Sequence, residues 1–295
     1  MKESLRPPHP SATEASAASA ASAAMAPAPA ATVLSRGQRK QHGETTRRWQ
    51  RVLRYASPIL LLLLWELLSQ VGVLDRRFFP PPSEVLGTAR VMVQDGSLAA
   101  AVLASLRRLA IGYVSGAALG IAVGLWLGLS SWSRALIEPW LIVTYPVPKL
   151  AVYPLLVLVV GLGEPPIVIL LAIAIFYVVA INLIAGVMSI RPVILDVGRD
   201  CNASFLQLVR TIALPASMPH IFTGLEISMG IAYIVLVAAE FVGAKSGLGS
   251  VIWSSWQLFD VAPMYVAIVT ISILGYASVL LLRLAADRMM PWRSK

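Results

Sequence analysis

IVILLAIAIFYVVAINLIAGVMSI, residues 167–190, holds no charged side chain and runs straight into RPVILDVGRDCNASFLQLVRTIALPASMP, residues 191–219. The first stretch has the length of a helix crossing about 30 Å of hydrocarbon, whereas the strands of a membrane barrel appear as short alternating segments. Outward from it, similar runs stand near Pro58 to Leu74, Leu109 to Leu129, Trp140 to Val160, Ile221 to Val242 and Pro263 to Ala286. With 57% hydrophobic and 13% charged residues, composition excludes a water-soluble fold. The expectation is an all-α membrane protein of six transmembrane helices, in one domain over residues 58–286.

Six crossings leave both termini on one side. Residues 1–57 carry nine Lys or Arg against Glu3, Glu14 and Glu44, so +6 of the net +9 lies ahead of the first span. Positive charge accumulates on the cytoplasmic side, which places the N-terminus, the tail 287–295 and the stretch 191–219 inside. The basic excess is read as membrane orientation, and no nucleic-acid partner is expected. Residues 8–34 are almost wholly Ala, Ser, Pro and Thr, too poor in large apolar groups to offset the entropy of ordering. They read as part of a disordered basic tail, residues 1–57.

The polar stretch has the make-up of a helical hairpin. Pro192 suits a first helical turn, and Val193 to Cys201 continues it. Asn202 stands where the chain turns, because Asn tolerates the left-handed conformation best among non-glycine residues, and Ser204 can cap the next helix. Phe205, Leu208, Val209 and Ile212 then fall on one face, and Leu214-Pro215 is expected to end that helix. So amphipathic a hairpin either docks into the groove of a protein partner or folds back on the bundle. Cys201, the lone cysteine, is read as a small semi-buried hydrophobe.

In the second span Gly112, Gly116, Gly120, Gly124 and Gly128 recur every fourth residue. Each step of four turns about 40° around a helix of 3.6 residues per turn, so they form one winding groove. Small residues at this spacing let a second helix approach closely; the groove either packs the bundle or slides during a conformational cycle. In the third span Pro146, Pro148 and Pro154 with Lys149 interrupt the apolar run. They belong beside a water-filled path, unless Lys149 reaches an interface. Ahead of the short helix expected from Glu84 to Gln94, Ser83 is a candidate cap. Lys149, Tyr145, Asn182 and Glu240 are candidates for lining the path, with interhelix hydrogen bonding as the alternative; Glu226 is a further ionisable residue within a span.

Catalysis finds little support. The only histidines are His9, His42 and His220, and neither a metal-ligand spacing nor a nucleophile-base set appears. Inverted repeats, which would mark a self-sufficient secondary transporter, are not evident either.

The stretch resembles the cytoplasmic signature loop of permease subunits of bacterial ATP-binding-cassette importers, E-A-A, three residues, G, nine residues, I-x-L-P. Asp196-Val197-Gly198 stands at the E-A-A, Asn202 at the glycine and Ile212-Ala213-Leu214-Pro215 at the closing motif. The register holds throughout, with Asp for Glu, Val and Gly for the alanines, and Asn for the turn glycine. Gly198 within a helix should weaken it by about 1 kcal/mol relative to Ala. Phe79-Pro80-Pro81-Pro82, Ser105-Leu106-Arg107-Arg108, Pro146 to Ala151, Gly161 to Glu164, Thr223-Gly224-Leu225, Ala239-Glu240 and Ser246 to Gly249 are similar to the branch serving nitrate, aliphatic sulfonates, taurine and related small solutes. Glu226 and Pro166 depart from it, at or near usually basic positions.

The resemblance implies the type I importer permease fold and a division of labour. Such permeases pair, as homodimers or with a sister permease, and dock their loops onto two cytoplasmic ATPase subunits, which bind the ATP and Mg; this chain would bind no cofactor. A periplasmic or lipid-anchored solute-binding protein delivers the solute, and ATPase closure drives alternating access. It further implies that Asp196, Gly198, Arg199, Asn202, Ala203, Ser204 and Phe205 face the ATPase, with Leu214 and Pro215 linking them to the fifth span. The expected location is the bacterial inner membrane.

Overall fold

A computed structural model of the chain describes Leu53 and residues 56–291. The described residues fall into two units divided between Leu63 and Leu64. Most of the predicted basic tail, and residues 292–295, lie outside the described residues.

Helix α1 (Ala56–Gln70) crosses the border of the two units. It is shorter than the span expected to reach Leu74, because Gly72 adopts φ +80° and turns the chain. The following loop is tied back by Arg76 Nε donating to the Ser69 carbonyl and by Ser69 Oγ donating to that of Phe79. Helix α2 (Pro82–Gln94) starts one residue before Ser83, which is therefore not its cap. Instead the Ser83 amide and hydroxyl donate to the Glu66 carboxylate of α1, at 3.0 and 2.7 Å. A distant acid satisfies the free amide that a local cap would otherwise take.

Helix α3 (Ser97–Leu129) begins twelve residues before the predicted second span. The predicted third span is a correction: it breaks into α4 (Ser131–Thr144) and a segment α5 (Lys149–Val160), bent by 93°. Pro146 and Pro148 lack amide hydrogens, so the helical ladder cannot run through residues 145–148. Helix α6 (Glu164–Met188) fills the fourth span. Helix α7 (Pro192–Asp200) is the first arm of the hairpin.

The second arm brings another correction. Leu214-Pro215 does not end it; α8 runs unbroken from Phe205 to Gly243, 39 residues. Residues Val209–Ala213 form a π-helical turn, in which the Leu214 amide reaches back five residues to the Val209 carbonyl. A proline ring ordinarily collides with the carbonyl four residues earlier, and the widened turn makes room for Pro215. Helix α9 (Leu248–Gln257), which hydropathy does not single out, precedes α10 (Val261–Met289).

Helices α3, α6, α8 and α10 are long and apolar enough to cross a membrane, the bent α4–α5 pair makes a fifth crossing if it is one span, and α1 is a shorter apolar helix. Helix α6 lies at the centre, with Leu170, Leu171, Ile175, Val179 and Leu183 fully buried. Helix α3 lies against it along the five glycines. A Cβ on Gly112 would stand 2.6 Å from Leu171 Cβ, on Gly120 2.9 Å from Val179 Cβ, and on Gly124 2.9 Å from Leu183 Cβ. On Gly128 it would stand 2.5 Å from Val187 Cβ, and on Gly116 it would enter the Ala172 backbone. The contacts climb α6 as the glycines climb α3, so the two helices run parallel.

Candidate functional site

The hairpin is held by local chemistry. The α7 backbone ends at Asn202, whose φ of +53° is the left-handed turn. Ser204 Oγ accepts from the Gln207 amide, and the Gln207 side chain accepts from the Ser204 amide, a reciprocal capping box at the start of α8. Asp196 and Arg199 form an exposed ion pair at 3.0 Å. Gly198 is buried: a Cβ there would meet Ile212 Cδ1 at 2.8 Å and Leu208 Cδ1 at 2.9 Å. Close approach of the two arms is thus what a glycine at this position allows.

One face of the hairpin rests on the bundle, through Leu195, Val209 and Ala213 against the cluster of Leu125, Leu183 and Val187. The other face stays open, with Val197 57% and Phe205 55% exposed beside Val193, Ile194 and Leu206. The fold-back alternative therefore describes one face of the hairpin, and the other face is left uncovered. Cys201 is exposed, not semi-buried; it follows α7 at the turn, where no helix covers it. Because a β-branched residue strongly disfavours positive φ, Asn202→Val should destabilise the turn by about 1–2 kcal/mol, while Asn202→Gly should not. Faster proteolytic cleavage between residues 196 and 210 in the valine variant alone would register this.

The break between α4 and α5 is organised by Lys149. Its ammonium donates to the carbonyls of Thr144, Tyr145 and Val147 at 3.1, 2.8 and 3.1 Å, at a break where Pro148 removes the helical partner of the Thr144 carbonyl. The same ammonium stands 4.3 Å from the Tyr177 ring centroid and 5.7 Å from that of Tyr145. Tyr177 in turn shares a 2.8 Å hydrogen bond with Thr144. Asn182 is half-buried on α6, donating to the Val178 carbonyl and facing Gly224 of α8. Glu226 pairs with Arg283 of α10 at 3.0 Å.

Glu240 is 1% exposed and belongs to a buried polar node, away from any open surface. Arg108, 3% exposed, donates from Nη1 to Glu240 Oε1 at 2.7 Å and to the Ser246 carbonyl at 2.6 Å. Its Nη2 reaches Ser246 Oγ at 2.9 Å and Glu164 at 3.4 Å. Ser105 Oγ donates to Glu240 and accepts from the Leu248 amide, and the Gly249 amide donates to Glu240 Oε2. A Cβ on Gly249 would lie 2.7 Å from Glu240 Cβ, so the loop closes on the carboxylate only because glycine stands there. A carboxylate this buried persists only with its acceptors satisfied, as both oxygens of Glu240 are. Ser105, Arg108, Glu164, Ser246 and Gly249 were not singled out as site residues from sequence, though they fall within three separate short motifs. That scattered polar segments meet at one point is legible only once helices are packed.

The family described as binding-protein-dependent transport system inner membrane component matches residues 116–291. The taurine transport system permease protein TauC of Escherichia coli is 32% identical over 241 residues, covering 80% of this chain and 88% of that protein. The putative aliphatic sulfonates transport permease protein SsuC of Bacillus subtilis is 28% identical over 256 residues, 87% of this chain and 92% of that protein. The nitrate import permease protein NrtB of a Synechocystis is 28% identical over 235 residues, 76% and 84% respectively. In fold, the chain is similar to a structure of the MetNI methionine ABC transporter in inward-facing conformations, with a TM-score of 0.56 at 19% identity, over 67% of this chain and 96% of that one.

Proposed function

This chain belongs to the family of binding-protein-dependent transport system inner membrane components, the permease subunits of ATP-binding-cassette importers, and on that footing we propose its solute class, partners and coupling surface. The solute is a small oxyanion or zwitterion of the sulfonate, taurine or nitrate kind, a reading supported by the solutes for which the relatives are named. The permease domain spans residues 58–286 and acts with a second permease copy, identical or sister. A periplasmic or lipid-anchored solute-binding protein supplies the solute. Both termini and residues 191–219 are cytoplasmic, the assignment that the basic residues before the first span support. ATP and Mg belong to the partner ATPases.

The observation that carries the coupling assignment is the open apolar face of Val193, Ile194, Val197, Phe205 and Leu206 on a hairpin braced from behind by the bundle. An exposed patch of this kind on a rigid turn suits a hydrophobic groove on a soluble subunit. Asp196, Arg199, Asn202 and Ser204 form its polar rim, with Ala203 among them at the turn. Lys149, Tyr145 and Asn182 remain candidates for the solute path, while the buried partners of Glu240 support a bracing role for that residue.

Phe205→Glu should abolish retention of the ATPase during purification of the complex, because a carboxylate would have to enter the groove without a partner, at a penalty of several kcal/mol. The purified permease should keep its thermal unfolding profile, since Phe205 is exposed. Full ATPase retention by the variant would remove the hairpin from the interface.

A further inference from the structure

Beside the buried node, a cleft of about 430 Å³ opens between the start of α6 and the loop that follows α8, bordered by Arg108, Gly163, Glu164, Gly243, Lys245 and Ser246. Two buried donors, one on cleft-lining Arg108 and one packed behind cleft-lining Gly243, have no partner. Arg108 uses all of its Nη hydrogens, yet its buried Nε bonds to nothing; nor does the hydroxyl of Tyr153, 2% exposed. That hydroxyl stands against cleft-lining Gly243, where a Cβ would collide with it. Leaving two buried donors unpaired is unfavourable by about 1–3 kcal/mol each, more for the charged one, so such donors mark a place built for an acceptor.

The charges at the cleft point to the acceptor's sign. Among the lining residues, Arg108 and Lys245 oppose Glu164 alone, and Lys245 has no ion-pair partner among the described residues. Glu164 is already held by Arg107 and Arg108 at 3.4 Å each, which leaves the Lys245 charge uncompensated. The amino-terminal end of α6, 25 residues long, adds the positive end of its dipole through Gly163 and Glu164.

We infer that this cleft is an oxyanion site, taking the sulfonate, carboxylate or nitrate group of a solute between the Lys245 ammonium, the Arg108 Nε and the Tyr153 hydroxyl. The site rests on the transport reading for its ligand source, and the donors supply its chemistry. The Arg108 donor offered to the anion is Nε, not the Nη groups that hold Glu240 and Ser246, so the Arg108–Glu240 pair is not spent on the ligand. The shared chemistry of a solute oxyanion and an anionic lipid headgroup makes the source a separate question.

The test uses the full chain with its ATPase in phosphatidylcholine nanodiscs, and sodium methanesulfonate as the probe. Methanesulfonate should raise the unfolding temperature, whereas neutral dimethyl sulfone or sodium chloride at equal concentration should not. Lys245→Glu should abolish the shift, and Tyr153→Phe should weaken apparent affinity roughly tenfold, the scale of one hydrogen bond to a charged group. An equal shift in wild type and both variants, or no shift at all, overturns the site. Loss of the methanesulfonate effect when phosphatidylglycerol is added would assign the cleft to lipid headgroups and overturn the solute form. ATP-driven uptake in proteoliposomes keeps the two readings apart. Uptake unaltered by Lys245→Glu removes the cleft from transport and leaves the importer intact. Absence of any ATP-driven uptake defeats the importer reading, while methanesulfonate protection still decides the cleft.

Discussion

Gly116→Val is expected to prevent the permease from folding into a stable bundle. A side chain there would meet the Ala172 carbonyl and stand 2.9 Å from Ala172 Cα, atoms of a helix backbone that cannot swing aside as a side chain can. The only relief is separation of α3 from α6, which would strip contacts from the most buried helix of the protein. Overpacking a core usually destabilises by about 1–3 kcal/mol, and a collision with backbone belongs beyond that range, at about 4 kcal/mol or more. The yield of monodisperse protein after detergent extraction should collapse. Gly230→Ala is the matched control: nothing lies within 4 Å of a Cβ at that position of α8. There the better helix propensity of alanine should leave stability unchanged or raise it by up to about 1 kcal/mol. Equal behaviour of the two variants would mean that α3 and α6 do not meet at Gly116.

Arg108→Met should be nearly as damaging, for an electrostatic reason. It leaves the Glu240 carboxylate buried with the hydroxyl of Ser105 and one amide but no counter-charge, and breaking such a pair from one side destabilises by about 3–5 kcal/mol. The double variant Arg108→Met with Glu240→Met removes both charges together. It should recover a large part of the loss, because two apolar side chains of similar length replace two desolvated ions. Thermal unfolding of the two single variants and the double variant supplies the coupling energy. If the double variant is as unstable as the sum of the singles, the two charges act independently and the node is not a unit.

How much of this was legible in the sequence differs from element to element. Uncharged runs such as residues 167–190 disclose their helices, because length and hydropathy are properties of consecutive residues. The hairpin turn was legible as well, since Asn202 and Ser204 act through backbone conformation and a local cap, both settled within a few residues. The bend at residues 145–148 was only half legible: the prolines announce a break, but that Lys149 satisfies the freed carbonyls depends on where its side chain lands. The continuity of α8 through Pro215 was read the wrong way, because a π turn rescues a proline by redistributing hydrogen bonds over two turns, which residue preferences do not encode. The Arg108–Glu240 pair joins residues 132 positions apart in the chain, and no local pattern announces such a partner. Gly247 and Gly249 read as loop punctuation, whereas in the fold they are clearance for a carboxylate.

The unbroken α8 has a mechanical consequence. At 1.5 Å per residue its 39 residues make a boom of about 58 Å, with the hairpin at one end. Three residues from the other end, Glu240 is clamped by Arg108, Ser105 and the amide of Gly249. On the proposed coupling role, a push at the foot would tilt this helix about the clamp, together with the helices packed on it, sooner than slide it. A swing of about 10° about the clamp would carry the foot about 10 Å, so displacement is largest at Phe205 and smallest beside the node. The stroke of the machine is thus set by where the pivot sits, and loosening the clamp would let the same push be spent on rattling the tip.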